Sequence, residues 1–394
     1  MANMNQLEKH NGSRFVWAHG LQGVGDQLLS GKTVLPWILG PGFFTAMLVP
    51  VRESLSMLPQ AALTPWVTTQ KSRKRVWMIG SMGQGISAAL IGVAAMFLHG
   101  WPLGLTTVIL MGILATFRSL CSIASKDVQG RTISKGNRGK ITGRATELAG
   151  AISLIIGLAL MFVKGHPIPL IFIAAGGWFA ATAVFSTIEE PEEDVTPIKR
   201  NWWSDTWNLF FHHTLFRRFV IVRSLMLVTA LSTSFVVMLS QEVGHDIKGL
   251  GFFVISSALA SLVGGRVSGM LSDVSSKNVM AGAAATASIA IAIMVATASV
   301  APWILPVGFF VIALAHTAIR VGRQTYIVDM AEGDDRTRFT GAANTIMGII
   351  LLIVGAISGA LGSPRTALIF LAILGFVGVI GASRLQDVSR KAAR

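Results

Sequence analysis

Charge is what this sequence has least of. Charged residues make up 13% of its 394 positions, against about 25% in a soluble protein. So few charges cannot cover a large surface in water, which excludes a big soluble enzyme. Cysteine is nearly missing: Cys121 stands alone, and one thiol excludes an internal disulfide or a Cys-rich metal site. The eight histidines are scattered. No His-Glu-x-x-His or Gly-x-Ser-x-Gly pattern occurs, and no Gly-rich phosphate loop, so the expectation is of no enzyme, no ATP-driven pump, no metal and no cofactor. The first fourteen residues, MANMNQLEKHNGSR, lack an apolar core with a small-residue cleavage site, and no signal peptide is expected. Nor does any stretch alternate in the segments of about ten residues that a β-barrel would need.

What is present is apolar. Hydrophobic residues reach 52% and mean hydropathy is +0.62. Several runs of about 20 residues are long enough to cross ~30 Å of hydrocarbon, so an all-α membrane protein is expected. The net charge of +14 fits cytoplasmic loops facing anionic lipid and does not call for nucleic acid.

The polar interruption EEPEEDVTPIKRNWWSDTWNLFFHHTLF, residues 189–216, divides the chain. Its acidic start, Pro191 and Pro197 break helix. The mixture of Trp202, Trp203, Trp207, Phe210 and Phe211 with Asp205, His212 and His213 suits a helix in the headgroup layer. It reads as a cytoplasmic linker with an amphipathic segment between an N-terminal bundle, 1–188, and a C-terminal bundle, 217–394. Each half divides into six spans. They are Phe15–Leu39, Phe43–Val67, Val76–Leu98, Trp101–Ser125, Ile141–Val163 and Ile168–Ile188. The second six are Arg217–Ser240, Gly249–Leu271, Asn278–Val300, Trp303–Val328, Phe339–Leu361 and Thr366–Ser383. Most basic residues fall in the loops 2–3, 4–5 and 6–7 and at the termini, leaving Lys164, Lys248 and Arg365 opposite. The positive-inside rule then puts both termini in the cytoplasm.

The halves repeat one plan. Span four ends Arg118-SLCSIASK-Asp127 and span ten ends Arg320-VGRQTYIV-Asp329; each leads through a charged loop to Thr142-Gly143 or Thr340-Gly341. After spans two and eight stand Pro65-Trp-Val-Thr-Thr69-Gln-Lys-Ser-Arg73-Lys-Arg75 and Gly269-Met-Leu271-Ser-Asp273-Val-Ser-Ser-Lys277. Here the sequence resembles the major facilitator superfamily of secondary transporters, whose signature is G-x-L-x-D-x-x-x-R/K in these loops. The resemblance implies two six-helix bundles related by pseudo-twofold symmetry, and gating roles for Gly269, Asp273, Lys277, Arg73, Arg75, Asp127 and Asp329. The first copy departs from the signature, with Pro65 for Gly and Thr69 for Asp, so the usual carboxylate at the end of helix two is missing.

An ionised side chain in hydrocarbon costs about 2.5–3.5 kcal/mol or more, so it persists beside water or a partner. Spans one, two, four, five, seven, eight and ten hold interior charges; three, six, nine and twelve hold none. The resemblance implies that the first group lines or flanks a central cavity and the second is outer scaffold. Arg118, Arg223 and Arg320 sit at similar depth, and with Arg52 and Arg323 they suit an anion, because guanidinium stays charged and binds carboxylate or phosphate in a fork. Asp26 and Glu53, near mid-depth, and Glu147 are the candidate proton carriers. The duller alternatives are fixed pairs: Asp26 with Arg52, Glu53 with Lys32, Arg144 with Glu147. Arg52 and Glu53 point about 100° apart, so at least one must meet another helix. The expectation is a monomeric, proton-coupled transporter of a small anionic or zwitterionic solute in the cytoplasmic membrane. Multidrug/proton antiport and lipid flipping are the alternatives. Span five, ELAGAISLIIGLAL, lacks the proline of the drug-antiport element Gly-Pro-x-x-Gly-Gly.

Overall fold

The computed structural model describes residues 6–134, 138–162, 166–191, 202–244, 247–330 and 335–388. All regular structure among them is helical. In chain order the helices are α1 (Gln6–Leu28), α2 (Val34–Leu39), α3 (Phe43–Thr68), α4 (Arg73–Phe97), α5 (Gly100–Thr132), α6 (Arg138–Leu160) and α7 (Ile168–Phe185). Then follow α8 (Trp202–His212), α9 (Thr214–Leu225), α10 (Val228–Glu242), α11 (Ile247–Thr297), α12 (Ile304–Met330), α13 (Asp335–Ala360) and α14 (Pro364–Ser383).

Nine helical stretches among the described residues are long and apolar enough to cross a membrane. Spans one, two and eight of the sequence reading fall outside that set, and the first two are the stretches carrying Asp26, Lys32, Arg52 and Glu53. Conversely, α4 and α14 leave whole apolar stripes uncovered. Ile79, Met82, Ile86, Leu90, Val93 and Phe97 recur along α4, and Ile369, Ile373, Phe376, Val377 and Ile380 along α14. Apolar stripes of this size facing outward require lipid. The chain is a multi-pass membrane protein.

Four of the expected spans differ in detail. The first is not continuous: α1 begins in the polar run at Gln6, stops at Leu28, and the chain resumes as α2 at Val34. Pro36 has no N–H for the Lys32 carbonyl and its ring crowds that carbonyl, while Gly31 takes φ +76°, a left-handed conformation open to glycine. The seventh span is divided between α9 and α10 at Met226 and Leu227. Spans eight and nine are joined as α11 across a kink at Ser275 (φ −161°, ψ 100°). Residues 192–201 of the linker lie outside the described residues; α8 beyond them packs on α13 and α9.

The two halves meet chiefly through α3 with α13 and α6 with α11. The approach is close where small residues allow it. A Cβ on Gly355 of α13 would collide with the ring of Pro50 on α3. Four apolar clusters fill the interior. Two mix the halves: Ala46 and Val49 join Leu231, Phe235 and Leu351, and Leu250 and Val254 join Leu28, Leu48 and Leu160. The other two, nearer the basic loops, each draw on one half alone, around Trp77 and Phe185 or around Phe219 and Tyr326. The halves are therefore sealed together at one end and separate toward the end that carries the basic loops.

Candidate functional site

Between the halves lies a cavity of about 710 Å³. A second hollow of about 560 Å³ shares Asp26, Arg118 and Arg320 with it and runs between α1, α5 and α6. The main cavity is lined by Asp26 and Gln27 of α1, Ser30 and Lys32 of the α1–α2 break, and Arg52, Glu53 and Gln60 of α3. Arg118 and Lys126 come from α5, Arg223 from α9, His316, Arg320 and Arg323 from α12, and Asn344 from α13. Seven basic side chains thus face two carboxylates.

Both carboxylates are taken. Arg52 is buried and donates from Nη2 to Asp26 Oδ1 at 2.8 Å and from Nη1 to Glu53 Oε1 at 3.0 Å. Arg118 donates to the same Asp26 oxygen. These four side chains form a neutral quartet. Adjacent residues on a helix diverge by about 100°, yet the long Arg52 side chain folds back far enough to hold its neighbour while also crossing to α1. The fixed pair of Asp26 with Arg52 is present; Glu53 pairs with Arg52, not Lys32.

Five cations remain: Lys32, Lys126, Arg223, Arg320 and Arg323. Among the described residues none has a carboxylate within ion-pair distance. Glu53 acts on Lys32, Arg320 and Arg323 only from farther away. Arg223 is 3% exposed, its Nη2 donates to Asn344 Oδ1 at 3.2 Å, and its Nε has no partner. His316 shares a 3.4 Å contact with Thr229 Oγ1. The α1–α2 break brings Lys32 to this wall, a placement that composition could not reveal although Gly31 and Pro36 marked the place.

Not every expected residue arrives. Glu147 and Arg144 are exposed on α6, form no pair with each other, and lie outside both hollows. The reason is phase: Ala145 and Ala149 turn the opposite face of α6 inward. The side chains of Arg266, Gly269 and Asp273 lie outside the described ones.

At the basic end, Arg73 donates from Nε to Asp127 Oδ2 at 2.6 Å; Arg75 and Asp329 are exposed. The carboxylate expected to be missing from this corner is supplied from elsewhere. Glu190, just past α7, accepts from Ser72 Oγ at 3.0 Å and from the backbone N–H groups of Arg73 (3.1 Å) and Lys74 (2.8 Å). It thereby satisfies free donors at the start of α4. Lys74 Nζ donates to the Ile188 carbonyl at 2.8 Å. The second half repeats the arrangement: Ser275 Oγ donates to Asp387 Oδ2 at 2.8 Å, and Lys277 Nζ to the Leu385 carbonyl at 3.1 Å. Ser-x-Lys after the second helix is held by an acid after the sixth in both halves, a correspondence hidden by the distance in sequence.

A charge-lined hollow between the two halves of a many-helix membrane protein is the architecture in which transporters hold their solute. The family comparison agrees. Residues 219–393 match the model of the Major Facilitator Superfamily. That match covers the C-terminal half, and the chain as a whole shares its fold with solved secondary transporters. Solved structures similar to it include a POT family transporter in complex with a thioalcohol-conjugated peptide, with a TM-score of 0.73 and 9% identity over 94% of each chain. The nucleoside transporter NupG, as a variant, follows with a TM-score of 0.70 and 13% identity over 97% of this chain and 100% of that one. A D-xylose–proton symporter gives 0.67 and 11% over 98% and 97%. Compared with curated proteins by sequence, the chain has no match.

Proposed function

We propose that this protein carries a small anionic or zwitterionic solute by alternating access, with residues 1–188 and 217–394 as two six-helix bundles rocking about the cavity and 189–216 as their tether. The observation that carries this reading is the charge of the cavity wall: after Asp26 and Glu53 are matched with Arg52 and Arg118, five cations remain. An anion entering this space supplies the counter-charge that these cations lack. Arginine forks on α9 and α12 favour carboxylate or phosphate. A cationic drug would meet repulsion here, which disfavours multidrug export.

The basic loops favour an orientation with the open end of the cavity and both termini on the cytoplasmic side of the inner membrane. On that orientation this conformation faces the cytoplasm. Proton coupling through Asp26 or Glu53 is the finer reading; it requires a carboxylate to leave its arginine before it takes up a proton. A ligand screen tests the main claim. Purified protein in detergent should gain thermal stability with carboxylate or phosphate solutes and none with cationic drugs, since a ligand that binds only the folded state raises its melting temperature. Stabilisation by cations alone would overturn the anion assignment.

A further inference from the structure

We infer that the cavity works as an obligatory exchanger of polyvalent anions: the empty carrier cannot turn over, and one anion must leave for another to enter. The inference rests on the anionic reading above and deepens it.

Its basis is the kind of charge left over. Lys32, Lys126, Arg223, Arg320 and Arg323 line the same space with no carboxylate among the described residues within ion-pair distance, and Arg223 keeps a buried Nε without a partner among them. Guanidinium does not give up its proton in a protein, so three of the five charges cannot be shed to make the empty state neutral. Alternating access passes through a form closed at both ends. There the water that solvates these groups is squeezed out and their mutual repulsion rises in a lower dielectric. The anion is what makes that closed form reachable, whichever way the protein faces. A solute with a single negative charge would leave most of the excess in place, so the physiological substrate carries at least two. The two carboxylates do not substitute for it. Asp26 and Glu53 already neutralise Arg52 and Arg118, and moving either toward α12 would strip those arginines.

Two measurements test this. The first needs no substrate. Spin labels on Lys71→Cys and Met330→Cys report the distance between the basic-side ends of the halves, Cys121 being buried. In a zwitterionic buffer free of other anions, one open population is expected. The variant combining Lys32→Gln, Arg320→Gln and Arg323→Gln should add a closed one. An empty wild-type protein that already samples both populations overturns the exchange mechanism. The second uses proteoliposomes and four labelled probes: inorganic phosphate, succinate, citrate and the monovalent lactate. A polyvalent probe should enter vesicles preloaded with the same anion at least about tenfold faster than empty vesicles, as expected when an uncompensated charge sets the barrier. Equal uptake into loaded and empty vesicles would defeat exchange while leaving anion transport intact, and a preference for lactate would defeat the polyvalent class. Failure of every anion to stabilise the protein in the ligand screen would instead remove the anion reading itself.

Discussion

The two halves line one cavity with opposite habits of charge. In the first, Asp26 near the end of α1 holds Arg118 of α5 and Arg52 of α3. In the second, the equivalent place near the end of α9 is Arg223, and the counterpart of Arg118 is Arg320. Where the first half brings its own acid to its arginine, the second brings another arginine. One wall is a finished ion network, the other an unfinished one that, on the proposed reading, an anion completes. A buried pair broken on one side leaves a stranded charge, at a cost of about 3–5 kcal/mol, whereas a cation that had no partner strands nothing when removed. Stability and transport should therefore be separable by half.

The largest effect follows from that separation. Asp26→Ala leaves Arg52, buried, with Glu53 alone and Arg118 with nothing, and should lower stability by about 3–5 kcal/mol, read as a drop in melting temperature and in monodisperse protein. Arg320→Ala should leave the melting temperature of the empty protein unchanged or higher while transport is lost. Equal destabilisation by both would erase the contrast between the walls. Next in size is anion affinity. Arg320→Ala and Arg323→Ala each remove a charged donor, a loss of about 1.5–3 kcal/mol, so binding isotherms should weaken by roughly tenfold or more per change. Arg223→Asp sharpens the comparison further, because it gives the second half the acid that the first half has. Anion binding should then fall without loss of folded protein.

The smaller contrasts lie at the basic end. Glu190 accepts from Ser72, two backbone N–H groups and, at 3.8 Å, Arg131, while Asp387 accepts from Ser275 at the matching corner. Glu190→Gln should therefore cost about 1.5–3 kcal/mol, with hydrogen exchange at the first turn of α4 as the local readout. Unchanged exchange there would remove Glu190 from this role.

Much of this was legible in the chain. Apolar runs marked the spans, and the rule that charge in hydrocarbon needs water or a partner put Asp26, Arg52, Glu53, Arg118, Arg223, Arg320 and Arg323 at one place, where they all line the cavity. What stayed hidden depended on partners far away in sequence. Glu190 sits in a run of acids that reads as a solvated linker, and only the fold brings it to residue 72. Glu147 fails for the opposite reason: its helix was expected, but which face of α6 turns inward depends on what packs against it. The pairing of neighbours Arg52 and Glu53 escaped because helical geometry fixes where Cβ points, not where a long side chain ends.

The finest test compares how each half interrupts its first span. In α9–α10 the break passes through Met226 with φ −86°, an ordinary backbone conformation that any residue adopts. In α1–α2 it passes through Gly31 with φ +76°, where a Cβ costs about 1–2 kcal/mol and would approach Leu48 Cβ to 3.0 Å. Met226→Ala should thus leave the backbone as it is, whereas Gly31→Ala should lose about 1–2 kcal/mol and shift the neighbouring Lys32. Because Lys32 faces the cavity only through this break, the same substitution should weaken anion binding along with stability. Intact affinity in Gly31→Ala would mean that the anion is held by the α9 and α12 arginines alone, and that the broken helix of the first half contributes shape but no charge.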